Sequence, residues 1–150
     1  MSPNSHELYQ QVILEHNRSP KNFHKLDPAT HAAEGYNPLC GDHINIYLHM
    51  NSGMVKDISF DGSGCAISTA SASILTVEIK GKLLSEVERI VQDVHHVILG
   101  SKNPEDCTEL SRSVSVFAGI RQFPARVKCA TLPWHTLKAA LEGKEQASTE

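Results

Sequence analysis

The chain has 150 residues, 40% of them hydrophobic and 21% charged, enough to bury one core, so a single domain over 1–150 is expected. A net charge of -3, a pI near 6.3 and the lack of any Lys/Arg run exclude a broad nucleic-acid-binding face. No apolar run approaches the ~20 residues that span a bilayer. Asn4, His6, Glu7, Gln10, Gln11 and Glu15 interrupt any leader-like apolar stretch, so a cytoplasmic location without a membrane partner is expected.

Asn4 and Glu7 form a capping-box pattern, and Leu8, Val12 and Ile13 recur at helical spacing until Asn17-Arg18-Ser19-Pro20. This predicts an N-terminal amphipathic helix. From His43 to Met50 the period changes to two, with Ile44, Ile46, Leu48 and Met50 on one face, the pattern of a half-buried strand. Asn51-Ser52-Gly53 supplies a turn, and Met54–Phe60 returns as an antiparallel partner until Asp61-Gly62-Ser63-Gly64 is expected to break the ladder. A helix rich in small residues is predicted over Ala66–Lys80, stopped by Gly81. Ser85 and Glu88 cap another, with Val87, Ile90, Val91, Val94 and Ile98 as its stripe and Gly100 as its end. Leu110, Val114, Phe117 and Arg121 predict a helix ending before Pro124, and Trp134, Leu137 and Leu141 mark a last one. The tail 144–150 reads as frayed. Strands in one block and helices in others predict an α+β fold, a small antiparallel sheet of about three strands packed against helices.

Four cysteines stand at 40, 65, 107 and 129, and in a reducing compartment cysteines more often serve metals or redox chemistry than disulfides. Cys40-Gly41-Asp42 lies in a loop just before the first strand, where a glycine between two ligands lets the backbone fold around an ion. Cys65 follows a glycine-rich loop and opens a helix, whose free amides and dipole favour a thiolate. Cys129, with Pro133 read in the first turn, is expected to share that helix-start environment. Cys40, Asp42, Cys65 and Cys129 together offer three thiolates and a carboxylate, a donor set that suits tetrahedral Zn²⁺ and could also take iron. Cys107, in a polar connection without a ligand pattern, reads as incidental. Most of the nine histidines read as surface residues, since no H-E-x-x-H pair occurs and adjacent His95 and His96 diverge on a helix. His43, one residue beyond Asp42, is kept as a candidate contact to the metal or a partner. Signatures of hydrolases and nucleotide-binding proteins are missing.

Taken together, Leu8-Tyr9, Val12-Ile13, Pro20-Lys21-Asn22, Asn37-Pro38-Leu39-Cys40-Gly41-Asp42, Phe60-Asp61-Gly62-Ser63-Gly64-Cys65-Ala66-Ile67-Ser68, Ala70-Ser71-Ala72-Ser73 and Pro124–Leu132 resemble the U-type iron–sulfur cluster assembly proteins, the IscU, SufU and NifU N-terminal family. The SufU branch looks most similar. Lys128 stands where scaffold-type members carry histidine, and the stretch around 86–110 looks like the SufU insertion. His43 departs from the arginine usual in that branch.

The resemblance implies a zinc-dependent sulfurtransferase in iron–sulfur cluster assembly. Its metal would be held by Cys40, Asp42, Cys65 and Cys129. Cys40 would accept persulfide sulfur from a PLP-dependent cysteine desulfurase of the SufS type, and a desulfurase histidine would take its place on the metal. Arg126 would assist that exchange, and downstream scaffold or acceptor proteins would receive the sulfur. One alternative is a scaffold on which a transient [2Fe–2S] cluster is assembled on the same residues. The other is a zinc-stabilised interaction module without transfer chemistry.

Overall fold

The computed structural model describes residues 5–103, 114 and 116–148. Cys107, Leu110 and the Asn4 cap lie outside them. In chain order the elements are α1 (Ser5–Arg18), β1 (His31–Asn37), β2 (Asp42–Asn51), β3 (Met54–Ser63), α2 (Ala66–Ile79), α3 (Leu84–Leu99), α4 (Phe117–Ile120), α5 (Pro124–Leu141) and β4 (Gln146–Ser148). The fold class is α+β, as the sequence predicts.

The sheet is larger than expected and mixed: four strands in the order β3-β2-β1-β4, with β1 antiparallel to β2 and parallel to β4. Alternation along β2 sends Ile44, Ile46 and Leu48 inward, each no more than 1% exposed, where α2 and α5 cover them. β3 adds Val55, Ile58 and Phe60 to the same core. Its ladder runs on through the expected break, pairing His43 with Ser63. Gly62 makes this possible, since its φ of +127° and the closeness of the His43 carbonyl leave no room for a side chain.

β1 was not anticipated: His31–Asn37 carries Ala32, Ala33 and Gly35, which show no strong strand preference. Its register against β2 and its packing on α5 make it a strand, with Gly35 lying against Leu132 and Thr136. β4 occupies the segment expected to fray, and its Cα partners on β1 are Glu34, Gly35 and Tyr36.

Two helix starts also move. α3 begins at Leu84 after Leu83, whose N–H donates to Glu86 Oε1 at 3.3 Å, so Ser85 is not the cap. α5 begins at Pro124, where the missing proline N–H costs no helical bond. Cys129 therefore lies inside this helix, not at its start, and Pro133 is an interior proline. Of the helix expected before Pro124, the described residues include the short α4, while the stretch around Leu110 lies outside them. Among these residues no helix is long and apolar enough to cross a membrane.

Candidate metal centre

The β1–β2 turn presents Cys40 to solvent. Gly41 at φ +72° adopts the left-handed turn conformation, and the chain re-enters the sheet at Asp42, paired across the ladder with Asn37. Both Asp42, 2% exposed, and Asn37, fully buried, lie at the inner end of that hairpin. A buried carboxylate needs partners for its oxygens. Asp42 has two: Asn37 Nδ2 donates to Oδ2 at 3.1 Å, and the Cys65 backbone N–H donates to Oδ1 at 2.8 Å.

Cys65 is the N-cap of α2, as expected, and its Sγ accepts from the Ser68 N–H at 3.4 Å. Ahead of it, Gly64 leaves the space that Asp42 uses: an added Cβ would stand 2.8 Å from Asp42 Oδ1 and would also collide with Ser68 Oγ.

From α5, Cys129 points into the same spot, fully buried. Its Sγ lies 3.5 Å from Cys40 Sγ and 3.5 Å from Asn37 Nδ2. Burial pushes its thiol well above the ordinary range, reinforced by the Cys40 and Cys65 side chains and the negative charge of Asp42. This is opposite to the low-pKa helix-start environment expected of it, because the residue sits more than a turn inside α5. Arg126, one turn earlier and exposed, faces the cluster: the charges of Cys65, Cys129 and Cys40 raise its pKa, Cys65 contributing most.

One ligand atom from each of Cys40, Asp42 and Cys129 lies within 4.8 Å of the others. Cys65 stands outside that mutual group but borders it, near enough to raise the Cys129 pKa and holding Asp42 through its amide. A tetrahedral ion with Zn–S near ~2.3 Å places its donors about 3.8 Å apart, close to the observed Cys40–Cys129 separation. The donors thus fit a thiophilic cation, whose charge would favour the thiolate form of the buried Cys129.

His43 turns away from the cluster, since alternation puts it on the opposite sheet face from Asp42. There its ring stacks on Tyr36 at 4.7 Å and 4°. Asn37 and Ser68 are the positions that residue-type reasoning missed as site residues. Neither carries a ligand signal, and their contribution exists only once β1 and α2 are in place.

Residues 8–130 match the family described as NifU-like N terminal domain. The chain is 39% identical over 135 residues to the iron-sulfur cluster assembly scaffold protein IscU of Thermotoga maritima, covering 90% of this chain and 93% of that one. It is 36% identical to the zinc-dependent sulfurtransferase SufU of Bacillus subtilis, covering 92% of each. Among solved structures, the putative iron-sulfur cluster assembly scaffold protein for the SUF system from Fervidobacterium islandicum AW-1 superposes with a TM-score of 0.82 at 32% identity. That match covers 92% of this chain and 99% of the other. With the thiol–carboxylate cluster carried on the hairpin and helices of that fold, the chain belongs to the NifU-like N-terminal domain family.

Proposed function

We propose that this protein works in cytosolic iron–sulfur cluster assembly as a zinc-dependent sulfur acceptor for a PLP-dependent cysteine desulfurase. Its metal is held by Cys40, Asp42, Cys65 and Cys129, within a single domain that carries a SufU-type insertion around 86–110. The observation that carries this reading is the asymmetry of the cluster: Cys40 is exposed on a turn while Asp42 and Cys129 are buried behind it. A bound zinc ion would hold these sulfurs as thiolates at neutral pH.

Cys40 is the most exposed of the three described cysteines, Cys65 being half-buried and Cys129 buried, which supports its assignment as the acceptor. Its thiolate attacks the outer sulfur of the desulfurase persulfide. A new S–S bond forms at Cys40, the old S–S bond breaks, and the desulfurase cysteine leaves as thiolate with the bonding pair. Cys40 then carries the persulfide. Arg126 offers positive charge beside the reacting sulfurs, while Asn37 and the Cys65 amide keep Asp42 in place. Lys128, exposed at the position where scaffold-type members have histidine, supports the acceptor reading. The scaffold reading is favoured by the 39% identity to a protein named IscU.

Cysteine turnover by a SufS-type desulfurase decides between them. With zinc-loaded protein and no iron, wild type accelerates turnover and Cys40→Ala does not. Unchanged turnover, together with a coloured and transferable cluster formed from iron and sulfide, would overturn the acceptor reading in favour of the scaffold.

A further inference from the structure

The hairpin that carries Cys40 is fastened on both faces of the sheet. In the last two pairs of the β1–β2 ladder, Tyr36 stands opposite His43 and Asn37 opposite Asp42. Alternation sends Asn37 and Asp42 inward to the thiol cluster and Tyr36 and His43 outward. On the inner face Asn37 Nδ2 donates to Asp42 Oδ2 at 3.1 Å. On the outer face the Tyr36 and His43 rings lie 4° from parallel with centroids 4.7 Å apart, the separation of stacked rings.

Each ring is anchored separately. The Tyr36 hydroxyl donates to Glu34 Oε2 at 2.6 Å, two residues back on the same face of β1. His43 pairs with Ser63, where Gly62 lets β3 run close against the His43 carbonyl. His43 is thereby fixed to the strand that leads into Cys65, while Tyr36 belongs to the strand that leads into Cys40. The turn between them has little of its own to hold it. The Cys40 N–H donates to the Asn37 carbonyl at 3.3 Å, longer than an ordinary amide bond, and Leu39 is 65% exposed. β1 itself is built on Ala32, Ala33 and Gly35, weak strand formers. Yet Cys40 Sγ is kept 3.5 Å from Cys129 Sγ.

We propose that the Tyr36–His43 stack is a positioning clamp for Cys40. Acting through the backbone of the hairpin, it keeps the last ladder pairs closed and so holds Cys40 over the cluster. It also sets how readily Cys40 swings out to an incoming sulfur donor, a consequence that rests on the acceptor reading, whereas the clamp does not.

The experiment follows the turn and the thiol in the full chain. In the metal-free protein, amide hydrogen exchange over 40–43, read by NMR, speeds up about two- to tenfold in His43→Ala and in Tyr36→Ala, the range a lost aromatic pair supports. The amides of Ile46 and Leu48, deeper in β2, do not change. His43→Phe keeps a flat ring and restores the wild-type rate. With zinc bound, iodoacetamide labels Cys40 faster by a similar factor in the alanine variants, read by peptide mass spectrometry, and Cys129 labelling is unaltered. Unchanged exchange over 40–43 in both alanine variants overturns the proposal. So does equal acceleration at Ile46 and Leu48 or at the Cys129 thiol, which marks general loosening, or a His43→Phe variant as fast as His43→Ala. Cysteine turnover is not a readout, so failure here and failure of the acceptor reading are told apart.

Discussion

Ser71→Ala tests how α2 and α5 hold the two buried sides of the thiol cluster together. Ser71 is fully buried on α2. Its Oγ donates to the Ala130 carbonyl at 2.6 Å and accepts from Trp134 Nε1 at 3.1 Å, both on α5. Removing the hydroxyl leaves the indole N–H of Trp134, 4% exposed, without its acceptor, a loss of about 1–3 kcal/mol. The lost bond to Ala130 adds about 0.5–1 kcal/mol, because that carbonyl lies within a helix. The sum, about 1.5–4 kcal/mol, corresponds to a fall of roughly 3–16 °C in Tm for a chain of this size. Urea unfolding of the metal-free protein is the assay, since bound metal would add stability by mass action. Trp134→Phe removes the orphaned donor, so the double variant is less destabilised than the sum of the singles, with a coupling of about 1 kcal/mol. A Ser71→Ala cost below about 0.5 kcal/mol, or strict additivity, would refute the reasoning.

Asn37→Ala removes both the Asp42 and the Cys129 hydrogen bonds. It should weaken zinc affinity about 10- to 100-fold, read by competition with a chelator, while Asn37→Asp fails to restore it. Gly64→Ala drives a Cβ against Asp42 Oδ1 and Ser68 Oγ, both in buried residues, and should lower zinc affinity together with the melting temperature of the metal-free form. Gly35→Ala forces a methyl against Thr136 and Leu132, and its overpacking should cost about 1–3 kcal/mol in urea unfolding. Burial holds the His16 imidazole, which contacts Ser73 Oγ at 2.7 Å, below its ordinary 6.5, with Glu15 opposing and Lys21 assisting the shift. The unfolded chain then takes up this proton first, so the stability is complete above 6.5 and declines as pH falls below it. His16→Gln should flatten that slope in denaturant midpoints, though not abolish it, because His135 is shifted in the same direction.

The strands and helices with strong period were legible: β2 shows its alternation in Ile44, Ile46 and Leu48, and Cys65 advertises its N-cap position through Gly62 and Gly64. β1 was not, because Ala32, Ala33 and Gly35 have no preference that survives outside the sheet they pack into. The start of α5 was misread because Pro133 looks like a first-turn proline, whereas Pro124 fills that role. That shift carried the chemical error about Cys129 with it, since a thiol at a helix start and a thiol buried in a helix interior titrate in opposite directions. Cys40, Asp42 and Cys129 could be grouped by residue type, but Asn37 contributes through a hairpin register, and the meeting of Tyr36 with His43 depends on the same register.

The short β4 has a consequence for behaviour in concentrated solution. By lying along Glu34–Tyr36, with the Glu145 carbonyl accepting from the Glu34 N–H at 2.8 Å, it occupies hydrogen-bonding groups that would otherwise form an open template for a strand of another molecule. Deleting 144–150 would uncover that edge next to the hairpin bearing Cys40. Self-association through β1 would then crowd the β1–β2 turn that carries Cys40.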